Sequence, residues 1–401
     1  MTPPKEFKRA LETRLRALSR SFRVISLTGP RQAGKTTLAR RAFPRFAYVS
    51  LEDIDEREFA TQDPRGFLAR FAGRPGVILD EVQRTPDLFS YLQGIVDAPG
   101  STRYILTGSQ QFQLSERISQ TLAGRAAVLR LMGLSMGEVG GRRALTPAGL
   151  FREAPKMQAP GEIDEWLFRG SFPRLHAENI PVRAWLNGYV RTYVERDVRE
   201  ILGVGDAGAF GRFLALVAGR TGQLLNASAL GADAGVSHAT VQRWVSVLET
   251  SGLVVLLPPH HANHRKRIVK APRIYLTDTG LACFLLGIRS PEDLRNHPLR
   301  GHLFKTLVVM EIMKVFVNQG ETPPLFFFRD RTGLEVDLLV DLGKRLLAME
   351  IKSSTTVRED ALSGLKRYLA VASSARASLV SGCPDSYVRS GMIVRPWFAC
   401  S

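Results

Sequence analysis

The chain has 401 residues, 44% of them hydrophobic and 23% charged, enough for two to four domains with packed cores. Its formal net charge of +17 points to a polyanion partner, most often nucleic acid, since a bias toward arginine would not by itself create the excess over acids. No apolar run reaches the roughly 18 residues of a transmembrane helix, the first residues lack a secretory apolar stretch, and Cys283, Cys383 and Cys400 form neither zinc spacing nor a disulfide framework; together these predict a cytoplasmic protein with no membrane partner.

Residues 1–20 carry Phe7, Leu11, Leu15 and Leu18 at helical spacing, which predicts a basic amphipathic helix. Residues 21–132 read as an α/β core. Val24-Ile25-Ser26-Leu27 resembles a buried parallel strand, and it leads into Gly29-Pro30-Arg31-Gln32-Ala33-Gly34-Lys35-Thr36-Thr37, a G-x-x-x-x-G-K-T phosphate loop opening a helix. Glycines at both ends let the backbone wrap phosphate oxygens, and the helix start favours negative charge. Lys35 would reach the outer phosphates of a nucleotide, and Thr36 would offer its hydroxyl to Mg2+.

Further along, Gly76-Val77-Ile78-Leu79-Asp80-Glu81 is an apolar strand ending in two carboxylates. It is expected beside the loop strand, with Asp80 holding Mg2+ through water and Glu81 polarising the attacking water. A third strand, Tyr104-Ile105-Leu106-Thr107, runs into Gly108-Ser109-Gln110. A polar side chain here would sense the outer phosphate; Thr107, Ser109 and Gln110 compete for the role, against ordinary turn chemistry. Gln111 to Leu122 is a predicted helix, followed by Ala123-Gly124-Arg125 and a strand from Ala126 to Leu131.

This order of loop strand, acid strand, polar strand, helix, arginine and last strand resembles the AAA+ ATPases. The resemblance implies ATP as the nucleotide and a homo-oligomer in which Arg125 reaches a neighbouring subunit's outer phosphate; the alternative is a surface arginine at a helix C-terminus. Together with Leu79-Asp80-Glu81-Val82-Gln83, Leu106-Thr107-Gly108-Ser109-Gln110, Leu167-Phe168-Arg169-Gly170-Ser171-Phe172-Pro173 and the stretch from Tyr189 to Asp197, the phosphate loop resembles one prokaryotic branch that pairs an AAA+-type ATPase with a C-terminal domain of unknown function. The likeness covers nearly the whole chain and leaves its purpose open.

Residues 133–205 are loop-rich around Pro147, Pro155 and Pro160, then helical from Ile180 to Leu202, resembling a helical lid from which Arg169 or Arg174 could touch the nucleotide. Residues 206–288 predict a winged helix–turn–helix. Phe210 to Arg220 is one helix, Ser228 caps a second, Ser237 caps a third over His238 to Thr250, and strands follow at 252–257 and 273–277 around a basic tip with His260, His261, His264, Arg265, Lys266 and Arg267. Ser237, His238, Thr240, Gln242 and Arg243 are the candidate DNA contacts; packing against other domains is the alternative.

Residues 289–401 predict a helix over 301–316 and strands at Leu325 to Phe328, Glu335 to Val340 and Arg345 to Ile351. Asp337 on one strand and Glu350-Ile351-Lys352 on the next resemble the PD-(D/E)XK nuclease core of restriction-endonuclease-like α/β domains. Strand alternation puts Glu350 and Lys352 on one face. Asp337 and Glu350 could share Mg2+, with Lys352 activating water. The related family commonly has Glu where Lys305 stands; Glu311 on the same helix is the candidate replacement. The reading is therefore an ATP- and Mg2+-dependent ATPase acting on or near DNA, whose nuclease-like C-terminal domain binds rather than cuts nucleic acid. The alternative is a nucleotide-controlled switch with a protein partner.

Overall fold

The apolar runs of the first third form a fully parallel five-stranded sheet. Its strands are β1 (Val24–Thr28), β2 (Ala47–Ser50), β3 (Gly76–Asp80), β4 (Arg103–Thr107) and β5 (Ala126–Arg130), in the order β2-β3-β4-β1-β5. The structure is a computed structural model that describes residues 5–108, 121–192, 207–260, 270–372 and 375–401. The predicted helix from Gln111, together with Ser109 and Gln110, the basic tip from His261 to Arg267 and most of the stretch after Tyr189, lies outside the described residues.

β1 and β3 are buried at every position, which explains their largely apolar make-up. Leu11 and Leu15 of helix α1 (Leu11–Ser21) and Leu38 of α2 (Lys35–Ala42) cover one face. Phe67, Phe71, Phe89 and Leu92 cover the other, the last two from α3 (Leu88–Asp97). The N-terminal helix is thus shorter than the predicted 1–20 stretch and is built into the sheet's core by its apolar stripe. The acid strand does not lie beside the loop strand as expected: β1 pairs with β4 and β5, and β3 lies beyond β4. Buried parallel strands read alike in sequence, so their lateral order is set by crossovers that no local pattern records.

Beyond β5 come α4 (Met136–Val139), α5 (Ile163–Arg169), α6 (Pro173–Ala177) and α7 (Val182–Tyr189). Ser135 and Glu138 form a reciprocal capping box on α4. Three helices follow, α8 (Ala207–Gly219), α9 (Ala227–Ala234) and α10 (His238–Thr250), with an antiparallel sheet of order β6-β8-β7: β6 is Gln223–Leu224, β7 Val254–Leu257 and β8 Arg273–Leu276. Ser237 caps α10 by accepting from the Thr240 amide, as its sequence position suggests. The cap of α9 is Asn226, not Ser228, because the helix begins two residues earlier.

After α11 (Thr279–Leu285) and α12 (Arg300–Val317), a six-stranded mixed sheet has the order β13-β14-β12-β11-β10-β9. Its strands are β9 (Leu325–Arg329), β10 (Glu335–Asp341), β11 (Leu346–Lys352), β12 (Ala375–Ser381), β13 (Tyr387–Arg389) and β14 (Met392–Pro396), with α13 (Ser363–Val371) between β11 and β12. β9, β10 and β11 are antiparallel, whereas β12 runs parallel to β11. One continuous apolar core joins Met132, Leu167, Phe213, Trp244, Phe316, Val340 and Trp397. Among the described residues, no helix is long and apolar enough to cross a membrane.

Candidate functional site

The loop between β1 and α2 turns on residues that need unusual backbone angles. Gly29 has φ +141°, and a Cβ there would lie 2.0 Å from the Leu131 carbonyl oxygen. Gly34, at the start of α2, is left-handed at φ 88°. Gln32 and Glu81 are non-glycine residues with positive φ, 65° and 53°, and they flank the same cleft.

Lys35 is buried at the first position of α2, and its Nζ donates to the carbonyl oxygens of Gly29 and Pro30, 3.0 Å each. Burial pushes its pKa down to about 8, against the pull of Glu81 and Asp80. A desolvated ammonium held by carbonyls is a site prepared for an anion. Beside it, the Thr36 hydroxyl donates to Asp80 Oδ2 at 2.8 Å, Tyr48 donates to the same oxygen at 3.0 Å, and Thr107 donates to Asp80 Oδ1. The Thr36 hydroxyl and the Asp80 carboxylate are adjacent hard oxygen donors. They fit Mg2+ that takes its remaining ligands from phosphates and water. The Glu81 carboxylate accepts from Gln83 Nε2.

Of these groups, Lys35, Thr36, Asp80 and Glu81 line a cleft of about 530 Å3 together with Arg31 and Thr37; Phe7, Arg9, Pro173 and Arg174 also line it. Arg174 thus reaches the cleft, while Arg169 donates to the Leu175 carbonyl. Arg125 is not in the cleft. It lies just before β5 and makes a two-pronged ion pair with Asp97 at the end of α3, 2.6 and 2.9 Å.

Sequence reasoning missed two residues. Tyr48 sits on β2, whose end is next to Asp80 only because β2 pairs with β3. Buried Arg9 donates to Ala33 O at 2.7 Å, Met132 O at 2.6 Å and Glu138 Oε1 at 3.0 Å, tying the phosphate loop to the capping box of α4. A helical basic face gave no signal for that role; it arises from the fold.

A second constellation lies on the C-terminal sheet. Asp337, Glu350 and Lys352 converge: Lys352 Nζ is 2.8 Å from Glu350 Oε1, and burial and the nearby Asp337 raise the Glu350 pKa. Glu311 does not join them. It accepts from the Met136 amide at 2.8 Å and from Lys314 at 2.7 Å, on the side of α12 that faces α4. Six residues along a helix turn a side chain well away from Lys305, so Glu311 cannot replace an acid at that position. Lys305 itself points at Asp337.

An AAA domain family matches residues 21–140, Domain of unknown function (DUF8612) matches 161–292, and Domain of unknown function (DUF4143) matches 300–397. Uncharacterized protein Rv2008c of Mycobacterium tuberculosis and Uncharacterized protein Mb2031c of Mycobacterium bovis are each 32% identical over 356 residues, covering 87% of this chain and 74% of theirs. Among solved structures, the Walker-type ATPase PABY2304 of Pyrococcus abyssi overlaps with a TM-score of 0.40 at 13% identity, over 69% of this chain and 94% of that one. The Thermotoga maritima RuvB Holliday junction branch migration motor overlaps at 0.31 and 18% identity, over 63% and 90%.

Proposed function

This chain belongs to the family of those two mycobacterial proteins, and we propose that it is an AAA-type protein that binds and hydrolyses ATP and acts on or near DNA. The observation that carries the ATPase reading is the buried Lys35 ammonium held by carbonyls beside the Thr36–Asp80 pair and Glu81. The loop from Gly29 to Thr37 and the α2 terminus hold the phosphates, with Lys35 on the outer ones. Thr36 and Asp80 would hold Mg2+, which would supply positive charge to neutralise the phosphates. Glu81 polarises water, and Thr107 fixes Asp80. Residues 133–205 act as a lid whose Pro173 and Arg174 close the cleft. Arg125, on the surface of one protomer, serves a neighbour's site in a homo-oligomer.

The DNA reading rests on the charge and on residues 206–288, which we take as a winged helix–turn–helix. Its α10 leaves His238, Gln242 and Arg243 exposed for the major groove. The C-terminal domain is read as a PD-(D/E)XK-like fold that holds nucleic acid rather than cutting it. One observation favours the second reading, a nucleotide-controlled switch with a protein partner. The turn after α10 packs on the phosphate loop, where a Cβ on Gly252 would lie 3.2 Å from Pro30 Cδ, so nucleotide state could be passed to this domain without DNA.

ATP turnover measured with and without duplex DNA separates the two. The DNA reading expects stimulation that fades with added salt as phosphate contacts are screened. DNA-independent turnover supports the switch. Glu81→Gln should bind ATP normally and lose roughly 100-fold or more in turnover; wild-type turnover in this variant would overturn the role given to Glu81.

A further inference from the structure

The carboxylate cluster of the C-terminal sheet is already filled by nitrogen. Asp337, 2% exposed, receives Lys305 Nζ at 2.5 Å and Arg273 Nη1 at 3.4 Å on Oδ1, and the Ile351 amide at 3.1 Å on Oδ2. Arg273 comes from β8, outside this sheet; it also pairs with Glu335 and lies over the Phe327 ring. Lys352 takes Glu350. Arg329 Nε also lies 3.6 Å from Glu335 Oε2, so four cations meet three carboxylates and no negative charge is left for an added ion. A divalent metal bridging Asp337 and Glu350 would have to displace Lys305 and Arg273 from Asp337 Oδ1, and it would add two positive charges beside the cations already there. The residues present do not fit such a metal.

We infer that Lys305 is a built-in cation standing where a bridging metal would sit, so that this cluster is a metal-excluding ion-pair joint fastening β8 to the C-terminal sheet. The spacing explains how. Lys305 sits on the second turn of α12 and reaches down onto β10, while Arg273 approaches from the neighbouring sheet. An acid at position 305 would reverse the balance, placing a fourth carboxylate where a cation now sits. The inference stands on the cluster's geometry alone, so metal occupancy tests it whether or not the chain binds DNA.

The test is a Mn2+ titration of the full chain without nucleotide, with free Mn2+ counted by electron paramagnetic resonance. In the wild type, Asp337→Asn should leave the bound Mn2+ unchanged. Lys305→Glu should gain about one equivalent, and that equivalent should disappear in the Lys305→Glu, Asp337→Asn double variant. Lys305→Gln, which removes the charge with little change in size, serves if the glutamate variant fails to fold, and it too should admit Mn2+. A wild-type Mn2+ equivalent that is lost with Asp337→Asn would overturn the inference. So would folded Lys305→Glu and Lys305→Gln variants that gain no metal.

Discussion

Lys35 shows how one residue's environment sets a measurable property. Its pKa of about 8 lies below the ordinary lysine value because burial disfavours the charged form more than Asp80 and Glu81 favour it. Between about 8 and the ordinary value, the unfolded chain binds a proton that the folded chain does not, so this group's contribution to stability rises with pH across that window. At neutral pH it is a penalty that a bound phosphate relieves. ATP binding needs the ammonium, so affinity should fall as pH rises through about 8, and Lys35→Met should lose both the affinity and that pH dependence. Calorimetric titration at pH 7 and pH 9 checks this; equal wild-type affinity at the two values would show that no ammonium needed for binding is lost between them. Lys35 and Thr36 were legible because the phosphate loop needs those residue types at fixed offsets, and Asp80 and Glu81 because two carboxylates end an apolar strand. Tyr48 and Arg9 were not, because their partners come from distant parts of the chain.

At the scale of elements, the ends of strands and helices decide what each side chain can serve. Thr107 ends β4, and since β4 lies between β1 and β3, its hydroxyl meets Asp80. The sequence left Thr107 competing with Ser109 and Gln110 because all three follow the same apolar run. Arg125 lies between α3 and β5, away from its own chain's cleft, and Asp97 holds it on the surface. Exposed ion pairs of this kind cost little to break, so the pair with Asp97 does not bar the role proposed for Arg125. Mixing Arg125→Ala with Lys35→Ala should therefore restore part of the ATP turnover that each variant lacks alone, one supplying the pocket and the other the arginine. Full turnover by Arg125→Ala at every dilution would remove Arg125 from the mechanism. Helix caps show the same limit of local reading: Ser237 was found because its helix starts where its apolar stripe starts, whereas α9 begins before its stripe and is capped by Asn226.

For the whole molecule, the segments that composition separates are joined by packing. Trp397 lies 6.4 Å from Trp166 of α5, ring centre to ring centre, within the core that also holds Phe213 and Phe316. Trp397→Ala should cost about 3–5 kcal/mol, and hydrogen exchange should quicken in α5 and in β14 together. Faster exchange confined to β14 would mean that the C-terminal sheet opens as a separate unit. The polar contacts carry the same continuity, with Glu311 and Lys314 of α12 holding the Met136 amide and the Leu134 carbonyl next to the capping box that Arg9 ties to the phosphate loop. By itself, the sequence determined the phosphate loop, the acid strand, the apolar runs of the parallel sheet and the placing of Asp337 near Glu350 and Lys352. Each depends on residue types at short spacing, where backbone geometry and side-chain periodicity act locally. Tertiary structure alone decided the strand order, the roles of Tyr48 and Arg9, the turning away of Glu311 and the placing of Lys305 and Arg273 on Asp337. Those depend on which distant surfaces exclude water together, and burial then forces every charge caught between them to find a partner from whichever element lies across the contact.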